Sequence, residues 1–252
     1  MKHHTPSPPI KSSTKSTSSY VREVIGERTG KILYNSEKPE FIIQEFKTNG
    51  LDEGKTRQNS KQLSTLRNEM SCYLFEYLEG FHIPTHYVKR VADTEMMVKK
   101  IDIIPLQVKI YNVVSTQLSK RFGYKEGTIL QFPIFEHFFE NGHTTSWVNE
   151  YHLYAFDLMS PDEYKHINRI SSKVNAIIRA LCDRRQLLLA ALQLEFGRCK
   201  GQIVLGDELS YTTCHFIDVS VEAKHQRERF LSDNNDNGES VLELRDRLKL
   251  TL

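Results

Sequence analysis

The 252-residue sequence is poor in cysteine, has no long apolar run and carries almost no net charge. Its four cysteines, Cys72, Cys182, Cys199 and Cys214, lie far apart, without the close pairs of a zinc site or a disulfide framework. Every apolar run is shorter than the roughly 20 residues that a membrane-spanning helix needs. The formal net charge of +2 gives no reason to expect nucleic acid or a membrane surface as a partner. We therefore expect a protein of a reducing compartment, the cytoplasm.

Three stretches lack the apolar residues that a core requires. Residues 1–20 contain no acidic residue and are rich in Ser, Thr, Pro and Lys, which predicts a disordered tail. The polar stretches Thr48–Ser60 and Ser232–Glu239 are predicted to be loops. The rest of the chain has an ordinary globular composition and is long enough for one large domain or two modest ones.

Helical periodicity is clear in three places. Apolar residues recur at steps of three and four over Leu63–Leu78, which predicts an amphipathic helix that Gly80 ends. A second helix is predicted over Ser160–Arg185, because a serine, a proline and a glutamate form a capping-box pattern at its start. Ser240–Leu250 is predicted as a final helix.

Extended segments alternate with these helices. Together they predict an α+β fold with a disordered tail at 1–20, an N-terminal β-rich lobe at 21–105 and a C-terminal α/β lobe at 106–252, with a cleft between the lobes. The predicted strands are Lys31–Tyr34, Phe41–Phe46, His86–Val91, Glu95–Lys100 and Gln107–Val114.

A β-hairpin is predicted near the C-terminal end, where the apolar runs Leu187–Phe196 and Gln202–Leu205 flank a turn that carries Gly197 and Gly201. Glu195 lies near the end of the first run and Asp207 lies just past the second, so the hairpin brings two carboxylates together. Paired carboxylates suit a hard cation such as magnesium. Taken alone, however, such a pair is more often two solvated acids at strand ends.

Five motifs along the chain favour a magnesium site over two solvated acids. They are Ile83-Pro84-Thr85-His86, Val98-Lys99-Lys100-Ile101-Asp102-Ile103-Ile104-Pro105, Val148-Asn149-Glu150, Leu194-Glu195-Phe196-Gly197 and Gly206-Asp207-Glu208. In order and spacing they resemble the SAICAR synthetase (phosphoribosylaminoimidazole-succinocarboxamide synthase) family, from about Lys31 to Asp218. That family joins aspartate to the carboxylate of a phosphoribosyl-carboxyaminoimidazole, using ATP and magnesium. The resemblance implies a two-lobed fold with ATP in the cleft, an acyl-phosphate route to the amide, small-molecule substrates and a homo-oligomer.

The resemblance also implies roles for individual residues. Glu195 and Asp207 would hold magnesium, and the segment 99–104 would offer backbone groups and apolar surface to adenine. The implied nucleotide and cofactor ligands are Lys31, Lys99, Lys100, Asp102, Ile103, Glu195 and Asp207, and the implied substrate ligands are Asn112, Lys120, Arg121 and Glu208. One of Lys99 and Lys100 is expected on an exposed strand edge, and Lys120 and Arg121 fit a surface basic pair equally well. No catalytic residue is assigned.

The departures from the family pattern remove charge. Tyr111 stands in place of a substrate-binding arginine, and a tyrosine cannot replace the bidentate guanidinium on a phosphate. The other changed positions are Thr29 for a lysine, Gln107 for a glutamate, Ala191 and Gln193 for an acid and a lysine, Thr212 and His215 for an acid and an arginine, and Thr144–Trp147, where a His-Asp-Pro is missing.

Two functional hypotheses therefore remain open. In the first, the protein is a SAICAR synthetase-like ligase with an altered substrate site. In the second, it is a paralogue that has lost this reaction and retains magnesium–ATP binding, another ligase activity or a regulatory role. Among the other candidates, His86, His137, His143 and His152 are expected at the surface or in loops, and the aromatic run Phe132–Phe139 is expected in the core.

Overall fold

The computed structural model of the chain describes residues 22–47, 57–142, 144–228, 230 and 238–248. The predicted tail at 1–20, positions 48–56 and 232–237 of the two predicted loops, and His143 lie outside the described residues. No helix within the described ranges is long and apolar enough to cross a membrane.

Five antiparallel strands from the first part of the chain form one sheet, in the order β1-β2-β3-β5-β4. Helix α1, Arg57–Glu79, packs on this sheet through β3, β4 and β5. The connection between β1 and β2 is only Thr29-Gly30, and Gly30 has a φ of +67°, which glycine adopts without strain. The strands are β1 Val24–Arg28, β2 Lys31–Asn35, β3 Phe41–Phe46, β4 Tyr87–Ala92 and β5 Glu95–Lys99.

Six strands from the second part form another antiparallel sheet, in the order β10-β9-β6-β7-β8 with β11 also beside β9. Strand β10 pairs with residues 195–199 of β9, and β11 pairs with residues 187–192 on the same edge. The segment 207–213 therefore crosses between them, and the Gln193 N–H donates to the Thr213 carbonyl at 2.8 Å. The strands are β6 Asp102–Val113, β7 Ile129–Glu140, β8 Thr145–Val148, β9 Leu187–Cys199, β10 Gln202–Gly206 and β11 Cys214–Asp218.

The two sheets share one continuous core. Helix α4, Pro161–Asp183, packs against β9 through an apolar stripe, and its predicted capping box at Ser160 and Glu163 is confirmed. Helix α6, Gly238–Leu248, packs on α1, so the C-terminal segment returns to the first sheet. The remaining helices are α2 Thr116–Phe122, α3 Glu150–Ala155 and α5 Lys224–Arg227. The predicted α+β class is confirmed.

The chain passes from the first sheet to the second between Lys99 and Asp102. The predicted lobe boundary at 105/106 falls within β6. A parallel bridge between Thr85 and Leu205 joins the two sheets beside this crossing.

Several predicted elements need correction. Residues 57–60 and 238–239, predicted as loop, are the first turns of α1 and α6, where polar residues precede the apolar stripe. Gly197 lies within β9, and the hairpin turn is Lys200-Gly201, with both residues at positive φ. Helices α2, α3 and α5 and strands β1, β7, β8 and β11 had no prediction. Helix α2 is only seven residues long with Leu118 as its one buried residue, too little for a periodic signal.

The expectation that His137 lies at the surface or in a loop was wrong, and the expectation that the aromatic run lies in the core is confirmed only in part. His86 and His137 are buried, at 3% and 6% exposure, and Phe132 is 75% exposed. His137 faces the same way as Phe135 and Phe139, which pack against the core, because alternate residues of a strand share a face. Phe132 lies nearer the solvent-exposed start of β7. His152 is exposed, as expected.

Candidate active site

A cavity of about 650 Å³ lies between the two sheets, and four of the charged residues that the resemblance implies line it: Lys31, Glu195, Asp207 and Glu208. The β1–β2 hairpin lines one side, and β6, β9 and the segment after β10 line the other. Among the described residues, its ionisable lining consists of Arg28, Lys31, Arg67, Glu140, Glu195, Asp207 and Glu208.

Glu195 and Asp207 are brought together by strand register. Gly206 of β10 pairs directly with Glu195 of β9, and Asp207 follows at a φ of +60°, which turns the chain out of the strand. The Gln44 amide donates to the Asp207 carbonyl at 3.1 Å and holds this bend from the first sheet. The hairpin predicted from sequence thus places both carboxylates on one wall of the cavity.

The two carboxylates are coupled electrostatically. Burial raises the pKa of Glu195 to about 7, and the neighbouring Asp207 carboxylate adds to the rise, against the opposing effect of Lys31 and Arg28. Its contacts are long: Glu195 Oε2 lies 3.5 Å from Arg28 Nη1, and Gln107 Nε2 donates to Oε1 at 3.4 Å. Glu195 is therefore an incompletely compensated acid.

Glu208, next along the chain, is fully engaged. Arg67 Nη2 and Nε donate to its two oxygens at 2.5 and 3.3 Å, and Lys31 Nζ lies 2.9 Å from Oε2. The hydroxyls of Ser210 and Thr212 donate to Oε1. Burial alone would raise the pKa of Glu208, but Lys31 and Arg67 lower it far below its ordinary value. Glu208 is a buried anchor for two cations.

Lys31 bridges the two acidic residues that follow β10. Its ammonium donates to the two oxygens of Asp207 at 2.6 and 2.5 Å and also contacts Glu208. Burial would lower the pKa of Lys31, but the carboxylates of Asp207 and Glu208 raise it above its ordinary value. A permanently charged ammonium is thus fixed in the cavity wall.

Arg67 joins three parts of the structure. Besides Glu208, its Nη1 donates to the carbonyls of Gly30 and Lys47 at 3.2 and 3.0 Å. Helix α1, the β1–β2 hairpin and the segment after β10 therefore meet at one guanidinium. A Cβ at Gly30 would lie 2.5 Å from Arg67 Nη1, so this approach needs glycine.

The predicted adenine segment divides between two cavities. Ile103 lines the cavity between the sheets, whereas Lys99, Lys100 and Asp102 line a separate cavity of about 610 Å³ outside the crossing. Lys99 Nζ donates to the Thr85 carbonyl at 2.8 Å, and Lys100 is exposed.

The face of the second sheet around Tyr111 has little free charge among the described residues. Tyr111 is buried beside Glu136, whose carboxylate accepts from Arg121 Nη1 at 2.6 Å. Burial raises the pKa of Tyr111, and the Glu136 carboxylate contributes to the rise. Lys120 is exposed at the end of α2. The predicted substrate residue Asn112 is not brought to the cavity, because it exchanges hydrogen bonds of 2.8 and 2.9 Å with Asn175 on α4.

Several other polar residues form structural contacts or are exposed. Asp218 is buried and forms a bidentate pair with Arg247 of α6 at 2.8 and 2.9 Å. Asn149 caps α3, and Lys61 is exposed on α1. Gln107, where the family has a glutamate, donates to Glu140.

Four residues of the site were not predicted from the sequence: Arg28, Gln44, Arg67 and Glu140. Arg67 had a signal, because it occupies the apolar face of α1 between Leu63 and Met70, where a charged residue needs a buried partner. Arg28, Gln44 and Glu140 had none, since their partners are more than 30 residues away in the chain.

Comparison with known proteins agrees with this arrangement. The model of the SAICAR synthetase family matches residues 29–240. The phosphoribosylaminoimidazole-succinocarboxamide synthase of Chloroherpeton thalassium is 34% identical over 231 residues, 89% of this chain and 97% of that protein. The enzyme of the same name from Caldanaerobacter subterraneus is 35% identical over 229 residues, 88% of this chain and 96% of that protein.

Solved structures agree as well. The phosphoribosylaminoimidazole-succinocarboxamide synthase of Ehrlichia chaffeensis superposes with a TM-score of 0.80 at 30% identity, over 91% of this chain and 100% of that one. A SAICAR synthetase in complex with ADP superposes with a TM-score of 0.78 at 31% identity, over 90% of this chain and 97% of that one. From its sequence, its fold and its paired carboxylates, the chain belongs to the SAICAR synthetase family.

Proposed function

We propose that the protein joins aspartate to the carboxylate of a phosphoribosyl-carboxyaminoimidazole in an ATP-dependent, amide-forming step of purine synthesis. Relatives that match almost the whole chain at 34% and 35% identity carry the name of this activity. The observation that carries the proposal is the pairing of Glu195 and Asp207 beside Lys31 in the cavity between the sheets. No contact among the described residues of the site favours a different function.

The nucleotide is assigned to this cavity. The ADP complex of a relative with the same fold supports a nucleotide site, and Ile103 offers an apolar wall here. Lys31 supplies a fixed positive charge for phosphate oxygens. Lys99, Lys100 and Asp102 point to the outer cavity, so their contribution to the nucleotide would come from the backbone rather than from their side chains.

Magnesium fits the donor set of Glu195 and Asp207. Both groups are hard oxygen donors. They lie close together, because Glu195 lies in β9 and Asp207 directly follows Gly206, the strand partner of Glu195. Magnesium in nucleotide sites is bound by one or two carboxylates together with phosphates. Among the described residues no third His, Cys, Asp or Glu completes a metal-binding group, which agrees with a cation shared with phosphates. When bound, magnesium would neutralise negative charge on the phosphates.

The chain's own residues contribute position and charge. Phosphoryl transfer to the substrate carboxylate breaks a phosphorus–oxygen bond of ATP and forms one to the carboxylate; the aspartate amine then forms the carbon–nitrogen bond as phosphate leaves. Such transfers depend on positioning and electrostatic stabilisation more than on acid–base groups. Glu208 and Arg67 hold Lys31 in place, so its charge needs no reorganisation during the reaction.

The substrate side carries the departures of this chain from its family. Lys109 and Gln193 are direct cross-strand partners beside the Gln107 and Glu195 pair, so all four side chains leave the sheet on one face. Lys109 is the cation that this face offers to substrate carboxylate or phosphate, because Arg121 is already paired with Glu136. Glu208 acts through Lys31 rather than on substrate.

A direct assay tests this function. Purified protein with magnesium and ATP, the carboxylated imidazole ribonucleotide and aspartate is expected to release phosphate only when all three substrates are present. Glu195→Gln, which keeps the side-chain shape and removes the charge, is expected to abolish release. Nucleotide binding without any release in the complete mixture would contradict the proposal and favour a protein that keeps magnesium–ATP alone.

We further propose a cytoplasmic homo-oligomer. The four cysteines are unpaired in the structure, which supports a reducing compartment. Light scattering on the purified protein tests the assembly: a mass of one 29.3 kDa chain at micromolar concentration would contradict it.

A further inference from the structure

Arg28 occupies the position between the two carboxylates that are assigned to the metal. Its Nη1 lies 3.5 Å from Glu195 Oε2 and 3.7 Å from Asp207 Oδ1. These are ion-pair distances, longer than hydrogen bonds. In β1 it pairs across the hairpin with Lys31, so both side chains leave the hairpin on the same face, toward the cavity.

The three cations of the cavity differ in how firmly they are held. The side chains of Lys31 and Arg67 are 6% and 5% exposed and donate short hydrogen bonds to buried carboxylates. The side chain of Arg28 is 32% exposed and stands beside the two-residue turn Thr29-Gly30. Arg28 is therefore the cation of this group that can change rotamer without breaking a buried hydrogen bond.

The balance of charges in the cavity favours a rotamer change of Arg28 when a metal binds. Four carboxylates and three cations line the described part of the cavity. A divalent cation on Glu195 and Asp207 would lie close to the guanidinium of Arg28 and repel it. The same guanidinium, once displaced toward the hairpin turn, would face the negative phosphates that accompany the metal.

We infer that Arg28 is an internal counter-ion of the metal site, which competes with the free metal for Glu195 and Asp207 and then binds the phosphates of the metal–nucleotide complex. The inference rests on the proposed function for its nucleotide. It predicts opposite effects of one substitution on two affinities: loss of Arg28 strengthens binding of the metal alone and weakens binding of the metal with nucleotide.

Manganese binding, followed by electron paramagnetic resonance of the free ion, tests the first effect without any turnover. Arg28→Gln is expected to bind Mn²⁺ alone about threefold or more tightly than the wild type, since a competing charge is lost. Calorimetry with ADP at saturating Mn²⁺ tests the second effect, and here the variant is expected to bind about tenfold more weakly. Arg28→Lys keeps the charge but lacks the planar guanidinium. Its affinities for Mn²⁺ alone and for ADP with Mn²⁺ are expected to lie between those of the wild type and Arg28→Gln.

Arg22→Gln is the matched control, because Arg22 is a similarly exposed arginine near the same hairpin, paired with Glu95 away from the cavity. It is expected to leave both affinities within about twofold of the wild type. Unchanged or weaker Mn²⁺ binding in Arg28→Gln would overturn the inference, and so would an Arg28→Lys variant that behaves like Arg28→Gln. Failure of the wild type to bind ADP would contradict the proposed function, while the comparison with Mn²⁺ alone would still decide whether Arg28 competes with the metal.

Discussion

Arg67 and Glu208 form a buried bidentate ion pair across the junction of the two sheets, with donor–acceptor distances of 2.5 and 3.3 Å. Arg67 comes from α1 and Glu208 follows β10, 141 residues later. The pair is nearly inaccessible to solvent, and each partner also holds other groups in place. It therefore connects the fold of the first sheet to the geometry of the site.

Removing one partner of this pair is expected to be costly. Arg67→Met leaves the Glu208 carboxylate buried with only Lys31 as a cationic partner, which should lower the free energy of unfolding by about 3–5 kcal/mol. Urea denaturation followed by circular dichroism measures the change. Arg198→Met is the control, since Arg198 pairs with Glu163 at a partly exposed site and should cost about 1 kcal/mol or less. Equal decreases in the free energy of unfolding of the two variants would show that the buried pair stabilises the fold no more than the partly exposed pair.

Glu195 should make stability depend on pH in the opposite sense to an ordinary paired acid. Its pKa is raised from 4.5 to about 7, so between these values the folded chain binds more protons than the unfolded chain. Stability contributed by this group is therefore lost as pH rises through that window. Glu195→Gln is expected to raise the free energy of unfolding at pH 8 by about 1–3 kcal/mol, with little change at pH 4.

Glu163→Gln is the matched control for this pH dependence of stability. The pKa of Glu163 is lowered by Arg198 and by the N-terminal cap of α4. For an acid of this kind, stability is present above the ordinary pKa and lost as pH falls, so Glu163→Gln should destabilise the protein at pH 8. Urea denaturation at pH 4, 6 and 8 compares the two variants. A loss of stability in Glu195→Gln at pH 8 would contradict the raised pKa.

The parts of the site that follow from local sequence were predictable. Glu195 and Asp207 belong to one hairpin, so strand pairing alone brings them together. Alternation along β6 also indicates which face of the sheet each of its side chains occupies. A strand that turns Ile103 and Gln107 toward the cavity turns Asn112 toward α4, since odd and even positions face opposite sides.

The rest depends on how the sheets pack. Arg28 and Glu140 acquire their roles only because the β1–β2 hairpin and the end of β7 meet over β9. The outer position of Lys99 and Lys100 follows from the crossing between the sheets, which no periodic pattern marks. Residues such as His137 were misplaced because a polar side chain on a core-facing strand position has the same local sequence signal as one in a loop.

Gly197 is expected to be intolerant of any side chain. A Cβ there would lie 2.6 Å from Ile101 Cδ1, 2.8 Å from Ile101 Cγ1 and 2.9 Å from the Asp102 carbonyl, which cannot move independently of β6. At Gly206, a Cβ would be closer than 3 Å only to Ile101 Cδ1. Gly197→Ala should therefore destabilise the protein by about 1–3 kcal/mol, and more than Gly206→Ala does.

A double-mutant cycle with Ile101→Val, which removes Cδ1, separates the two glycines. The second substitution is expected to relieve most of the cost of Gly206→Ala and little of the cost of Gly197→Ala, where Cγ1 and the backbone remain. Thermal unfolding of the wild type, the three single variants and the two double variants measures both coupling energies. Similar relief at the two positions would show that the Asp102 carbonyl is not the limiting contact.

Tyr111 is the position at which a single substitution is expected to strengthen substrate binding most. Its buried ring lies beside Glu136, which Arg121 already neutralises, so this point of the substrate side offers no free cation to a phosphate. Tyr111→Arg is expected to lower the KM for the imidazole ribonucleotide about tenfold with a smaller change in kcat, because a bidentate charge-assisted contact adds binding energy in both ground and transition states. Tyr111→Phe, which loses only the hydroxyl, should change KM less than twofold. A folded Tyr111→Arg variant with an unchanged KM would show that the substrate phosphate binds elsewhere, with Lys109 as the next cation along this face to test.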